Sequence, residues 1–366
     1  MRGLFVEPFY GGSHRAFLDG LVRHSSHELV PLTLPGGEWR RRMRRGAQEL
    51  AAATAELHGR FDFIVATDML DLAAFLALTR PRFSGVPVMV YFHENQFTYP
   101  RLRGTKFNSW FGAINYLSAC VADVVAFNSE FHRQDFLAAL RSLDSQPNNW
   151  LVSEAIEAIA AKSVVLTIGV ELEWLADERV ERPAGPPIIL WNHRWEFDKA
   201  PSVFARTVIA LAEQGIPFRL ALAGQPGDNP APELTSLTES LPERVYHAGF
   251  LANRQQYARL LWESSIVVST TRHEFFGVGM VEALHCGCFP IVPARFNYPA
   301  LVPPALHGRT LFTTEDDFRA KLRAALTGSV AESEPLRESA ERFAWRNVGV
   351  QWDAALTRLV EMAGAR

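Results

Sequence analysis

No apolar run in this chain approaches the roughly 20 residues that span a bilayer. The opening MRGLFVEPFYGG turns polar and glycine-rich too early for a signal peptide. Cysteine is scarce: Cys120, Cys286 and Cys288 make no disulfide framework and suit a reducing compartment. Two of them stand in His285-Cys286-Gly287-Cys288, which lacks zinc-ligand spacing. Net charge is scarce too, at −3, so any attraction to nucleic acid has to come from a local patch. The first strand ends without the G-x-G-x-x-G of dinucleotide enzymes. No Asp-x-Asp pair follows a strand, and the acids at 315–317 lie outside such a position. These absences predict a cytoplasmic protein without stable membrane association, and chemistry without metal or bound cofactor.

What is present is hydrophobic patterning. A chain of 366 residues that is 48% hydrophobic exceeds one ordinary core and predicts two domains. Continuous apolar runs read as strands buried on both faces: 3–6, 28–34, 61–67, 86–92, 123–128 and 163–168. Helix-length segments such as Ser13–His24 and Thr105–Val121 lie between them. The proline-rich ERPAGPP at 181–187 reads as a linker, after which strands recur at 188–192, 218–224, 244–249, 265–270 and 289–294. Glu332–Arg366 reads as helical. The expectation is an α/β chain of two Rossmann-like domains facing across a cleft. Residues 1–182 and 183–345 form the domains, and 346–366 form a C-terminal helix packing back on the first.

The second half carries TRHEFFGVGMVEALHCGCFP, in which Glu274 and Glu282 flank a Phe275-Phe276-Gly277 turn at a helix start. A helix N-terminus attracts anions, whereas carboxylates accept hydrogen bonds from hydroxyls. A ligand with two polyol regions joined by a diphosphate meets both demands. Such a diphosphate needs cations, and LWNHRWEFDKAP supplies Arg194 and Lys199 at another strand end. Either loop alone is compatible with a solvated surface; the two together point to a sugar nucleotide.

This pair of loops resembles the donor site of retaining GT-B glycosyltransferases of family four. The resemblance implies that Glu274 faces the transferred hexose and Glu282 holds the ribose. It also implies that Arg194 and Lys199 clamp the diphosphate, and that Asn192, Phe276, Gly277 and Val278 line the site. In the first half, EPFYGGSHRAF, YFHENQFTYP and ADVVAFNS extend the likeness to the tRNA-queuosine α-mannosyltransferase group. They place Gly11 and Gly12 near the donor, with Ser13 as a helix cap. Glu7, Ser13, His14, His93, Glu94, Asn95, Gln96 and Asn128 fall on the acceptor or sugar side, His93 and Glu274 among the catalytic set with Arg194 and Lys199. What the group implies is retaining transfer of mannose from GDP-mannose to the cyclopentenediol of queuosine in the anticodon of aspartate tRNA.

An RNA surface is offered by EWRRRMRRGAQEL, where Arg40, Arg41, Arg42, Arg44 and Arg45 surround Trp39 and Met43. Arginine binds phosphate, and tryptophan stacks on unpaired bases. Arg101, Arg103 and Lys106 would continue this basic path. A solvated basic helix has the same composition. Two other readings stay open: the same donor chemistry on a lipid, polysaccharide or small-molecule acceptor, and a non-catalytic RNA- or nucleotide-binding protein.

Overall fold

Two α/β units divide the chain: Met1–Gly169 together with Trp345–Arg366, and Val170–Ala344. The computed structural model describes residues 1–100, 109–147, 149–225, 232–328 and 333–364. Arg101, Arg103 and Lys106 therefore lie outside the described residues.

The first unit is built on β1 (Arg2–Tyr10), β2 (Glu28–Pro35), β3 (Phe63–Thr67), β4 (Val88–Phe92), β5 (Val124–Phe127) and β6 (Ser163–Val165). They form one parallel sheet in the order β2-β1-β3-β4-β5-β6. β3, β4 and β5 are buried at every residue, which is why they read as unbroken apolar runs. Each fully buried Val, Ile or Phe in them contributes about 1.5–3 kcal/mol. The helix Trp345–Gly364 packs on the helix Gly12–His24, and Trp345 fills space that a Cβ at Gly20 or Gly169 would occupy.

The second unit carries β7 (Ile188–Trp191), β8 (Arg219–Ala223), β9 (Val245–Gly249), β10 (Ile266–Val268), β11 (Phe289–Pro293) and β12 (Leu311–Phe312). Its parallel sheet runs β12-β11-β10-β7-β8-β9. β12 has only two residues, too few for a periodic signal.

Three boundaries differ from the sequence reading. The units divide at Gly169/Val170 rather than at 182/183, because Val170 bridges to Ala344 and Trp262 Nε1 donates to Leu175 O at 2.6 Å. The proline-rich stretch lies inside the second unit, anchored where Arg182 donates to Ser264 O and Gly287 O. The C-terminal stretch is two helices, Glu334–Glu341 and Trp345–Gly364, and the break falls at the division between units.

Candidate active site

In the second sheet, β7 and β10 are neighbours although the chain forms β8 and β9 between them. The strand order reverses there, and such a switch leaves a crevice at the carboxyl ends. The loop after β7 brings Lys199, and the loop after β10 brings Glu274. Lys199 Nζ lies 3.6 Å from Glu274 Oε2 and 3.2 Å from Asp198 Oδ2, its side chain largely buried. Arg194 does something else. Its guanidinium is 58% exposed and donates to Glu196 Oε1 at 3.0 Å. The two cations differ in setting: Lys199 belongs to the carboxylate cluster, while Arg194 is paired with Glu196 and open to solvent.

Glu282 is held through Tyr257, which Asn192 in turn positions. Tyr257 Oη donates to its Oε2 at 2.9 Å, and Asn192 Nδ2 donates to Gly279 O at 2.9 Å and to Tyr257 Oη at 3.3 Å. Burial pushes the Glu282 carboxyl up to about 7, against the opposing influence of Tyr257 and Arg254. The helix Val278–His285 starts at Gly277, whose φ of 99° and nearby Leu301 leave no room for a side chain. Phe275 and Phe276 are core anchors for that turn, Phe275 against His273 and Phe276 against Phe343. The Phe276 carbonyl accepts from Asn297, so its ring and its oxygen are both engaged by the protein. His193 and His273 are pushed down to about 3 and about 4, first by burial and then by the charge of Lys199. The thiols of Cys286 and Cys288 are buried and pushed up by burial, so they remain protonated.

The first sheet has its own reversal between β1 and β3. Gly11 and Gly36 meet there backbone to backbone, so that a Cβ on Gly36 would fall 2.9 Å from Gly11 Cα. The cap of the helix Gly12–His24 is Gly11, in extended conformation; Ser13 lies inside the first turn, which corrects its reading as the cap. Glu7 is fully buried and accepts from His14 Nδ1 at 3.1 Å. His93 follows β4 with its ring 4.2 Å from that of His14.

The rest of the HENQ run is largely structural. Asn95 is fully buried and spends its side-chain oxygen on the backbone of Phe97 and Thr98. Gln96 donates to Glu94 Oε1, and its N–H goes to Asn115. Asn128 is buried, tying His93 O to the His132 ring. Sequence reading missed Asp68, Asp198, Tyr257 and His132. Only Asp68, an acid directly after the buried run ending at Thr67, carried a local signal.

The arginine-rich helix Trp39–Ala53 begins at this same edge, after Gly36, Gly37 and a left-handed Glu38. Its arginines divide. Arg41, Arg42 and Arg45 all reach Glu49, and Arg41 also reaches Glu38. Arg40 instead lies over Trp39 at 4.7 Å and Arg44 over Phe111 at 5.4 Å, with the two rings 5.1 Å apart. The apolar stripe Met43, Ala47 and Leu50 is buried in the protein.

Similarity to known proteins agrees with this geometry. The family described as tRNA-queuosine alpha-mannosyltransferase N-terminal matches residues 2–170, and glycosyl transferases group 1 matches residues 173–344. A tRNA-queuosine alpha-mannosyltransferase from Drosophila melanogaster is 32% identical over 328 residues, covering 87% of this chain and 85% of that protein. The chain belongs to the tRNA-queuosine alpha-mannosyltransferase family. A GDP-mannose:cellobiosyl-diphosphopolyprenol alpha-mannosyltransferase from Xanthomonas campestris is 24% identical, over 74% of this chain and 65% of its own length. Among solved structures, a sucrose-phosphate synthase from Thermosynechococcus elongatus superposes with TM-score 0.75 at 15% identity, covering 99% of this chain and 100% of that one. The apo form of the lipopolysaccharide outer core galactosyltransferase WaaB gives 0.68 at 13% identity, covering 98% and 99%. These likenesses show the GT-B fold, and the chain is a glycosyltransferase. Among the described residues no helix is long and apolar enough to cross a membrane.

The buried groups give the transferase a definite alkaline response. His14, raised to about 9, and Asp68, whose carboxyl burial pushes up, bind more protons folded than unfolded above pH 7. The stability they contribute is complete at lower pH and is lost as pH rises through those values. The depressed His193 and His273 have completed their opposite contribution by pH 7, since the unfolded value is about 6.5. Thermal melts should therefore show Tm falling by roughly 5 °C between pH 7 and pH 9. A flat or rising Tm would show that neither His14 nor Asp68 holds its extra proton in the folded protein.

Proposed function

We propose that this transferase moves mannose from GDP-mannose to the cyclopentenediol of queuosine in aspartate tRNA, with retention and without a metal. The observation that carries the donor half is the Lys199–Glu274 contact at the β7/β10 crevice, with Glu282 fixed by Tyr257 and Asn192 nearby. Lys199 neutralises the departing diphosphate, Arg194 joins it by releasing Glu196, and backbone N–H groups at the start of Val278–His285 complete the anion site. Glu274 accepts hexose hydroxyls and Glu282 those of the ribose. Mannose as the sugar is supported by the names of both relatives, one of which specifies GDP-mannose.

Retention by double displacement needs a carboxylate nucleophile about 5 Å from a partner acid. Glu274 is committed to Lys199 and the hexose hydroxyls, so front-face substitution is favoured. The acceptor hydroxyl attacks the anomeric carbon as the C–O bond to the diphosphate breaks. A diphosphate oxygen takes the proton. Aspartate tRNA incubated with GDP-mannose and the protein, then digested, should show by mass spectrometry a queuosine nucleoside heavier by one hexose. Modification of no tRNA, or of tRNA lacking queuosine, would refute this acceptor.

On the acceptor side, Arg40 and Arg44 are held over aromatic rings, whereas among the described residues Arg41, Arg42 and Arg45 share Glu49. Replacing Arg40 and Arg44 by alanine should weaken tRNA binding by about tenfold or more and lower its salt slope by about 1–2. Replacing Arg41 and Arg45 should cost less than half as much. Equal losses in the two variants would mean that the whole helix acts as a diffuse charge. A membrane-bound acceptor is disfavoured at this helix, since its apolar stripe is buried in the protein.

A further inference from the structure

The transfer step described above leaves a buried charge cluster of the first unit unused. Glu7, within β1, has both oxygens committed: Oε1 accepts from Phe9 N at 2.7 Å and Oε2 from His14 Nδ1 at 3.1 Å. The His14 ring lies 4.2 Å from that of His93. His93 is immobilised through its backbone, donating its N–H to Asp68 Oδ1 at 2.8 Å and accepting from Asn128 Nδ2 at 2.9 Å. Phe17 and Tyr91 stand edge-on to its ring, each with centroids 4.8 Å away. Its Nε2 is enclosed and has no hydrogen-bond partner among the described residues.

Two imidazoles in contact beside one carboxylate do not share charge equally. The proton goes to the ring that the carboxylate touches, and a second cation at that distance in a dry environment is strongly opposed. We propose that Glu7 and His14 are positioning residues for His93: their ion pair fixes one positive charge beside it, keeps the lone pair on its enclosed Nε2, and so leaves an Nδ1–H to donate to a substrate oxygen.

The protonation equilibria agree. Burial opposes charge on His14, but Glu7, then Asp68 and Glu94, outweigh it and raise the group to about 9. His93 is held well below the ordinary range, first by burial and then by the charges of His14 and His132. The groups facing His93 are thus His14 from the first helix, Asp68 after β3, Tyr91 in β4, and His132 in Glu130–Asp144, with Glu7 behind His14 and Glu94 next in the chain. Glu7, His14 and His93 also offer ligand atoms within 4.8 Å of one another, the spacing of a metal site. A cation on His14 Nδ1 would have to displace the proton that Glu7 Oε2 accepts, so the proton competes directly with it for that place.

The catalytic consequence rests on the transfer reading; the charge placement does not. In the full chain labelled with ¹⁵N-histidine, two-bond ¹H–¹⁵N spectra between pH 5 and pH 10 report each imidazole directly, assigned with His14→Gln and His93→Gln. Wild type should show His14 charged at pH 7.5 and His93 as the neutral Nδ1–H form down to pH 5.5. In Glu7→Gln, His14 should be neutral at pH 7.5, and the acid limb of kcat should lie about one pH unit above that of wild type. A role confined to folding would lower kcat in parallel at every pH. The proposal is overturned by parallel profiles, by a wild-type His14 neutral at pH 7.5, or by stoichiometric metal in the purified protein. Spectra as expected, with wild type transferring mannose to no tRNA, would sink the acceptor assignment and leave the charge placement standing.

Discussion

Replacing Glu274 by alanine should lower kcat about 10²–10³-fold while affinity for GDP stays level or rises slightly. The asymmetry follows from position. Glu274 Oε2 is 3.6 Å from Lys199 Nζ, so in the ligand-free protein it competes with any anion for that ammonium. On the proposed reading, removing the carboxylate frees Lys199 for a diphosphate but deprives the hexose of its acceptor for hydroxyl hydrogen bonds. Those bonds matter most when the sugar ring flattens and its hydroxyls polarise in the transition state. Glu274→Gln keeps shape and one acceptor oxygen, so it should fall between wild type and alanine. Steady-state rates together with calorimetric titration of GDP separate the two quantities. A large loss of GDP affinity on the alanine change would place Glu274 against the nucleotide rather than the hexose.

Lys199→Ala should give the reverse signature: a fall in kcat of similar size, accompanied by a loss of GDP affinity of about tenfold or more. It should also cost stability, which Glu274→Ala should not. Lys199 stands between Asp198, almost fully buried, and Glu274; without it Asp198 loses its ion-pair partner, and its Oδ1 has no hydrogen-bond partner among the described residues. Breaking a buried pair in this way costs about 3 kcal/mol. Lys199→Arg restores the charge but not the compact geometry, and should recover stability more fully than turnover. Denaturant melts and GDP titration on both variants check this. Lys199→Ala with unchanged GDP affinity would move the diphosphate to Arg194.

The candidate site was partly legible because its two loops are short and lie at the ends of strands whose burial is written in their composition. Glu274, Gly277 and Glu282 fall within one turn-helix segment, and Lys199 lies within eight residues of the end of β7. What could not be read there was partnership. Arg194 and Lys199 look alike in LWNHRWEFDKAP, yet Glu196 takes one and Glu274 with Asp198 the other. Tyr257 comes from a helix with no signal of its own and reaches Glu282 only because that helix packs beside Val278–His285.

Sequence by itself determined the two parallel sheets, since strands buried on both faces must be continuously apolar. It also determined that glycine turns and carboxylates stand at their carboxyl ends. Only tertiary structure decided which charges cancel: Glu49 takes Arg41, Arg42 and Arg45, leaving Arg40 and Arg44 on their rings. It alone set Glu7, His14 and His93 in one buried row. Burial is a one-dimensional pattern that periodicity records. Pairing of charges depends on distances between residues far apart in the chain, and no local pattern encodes those.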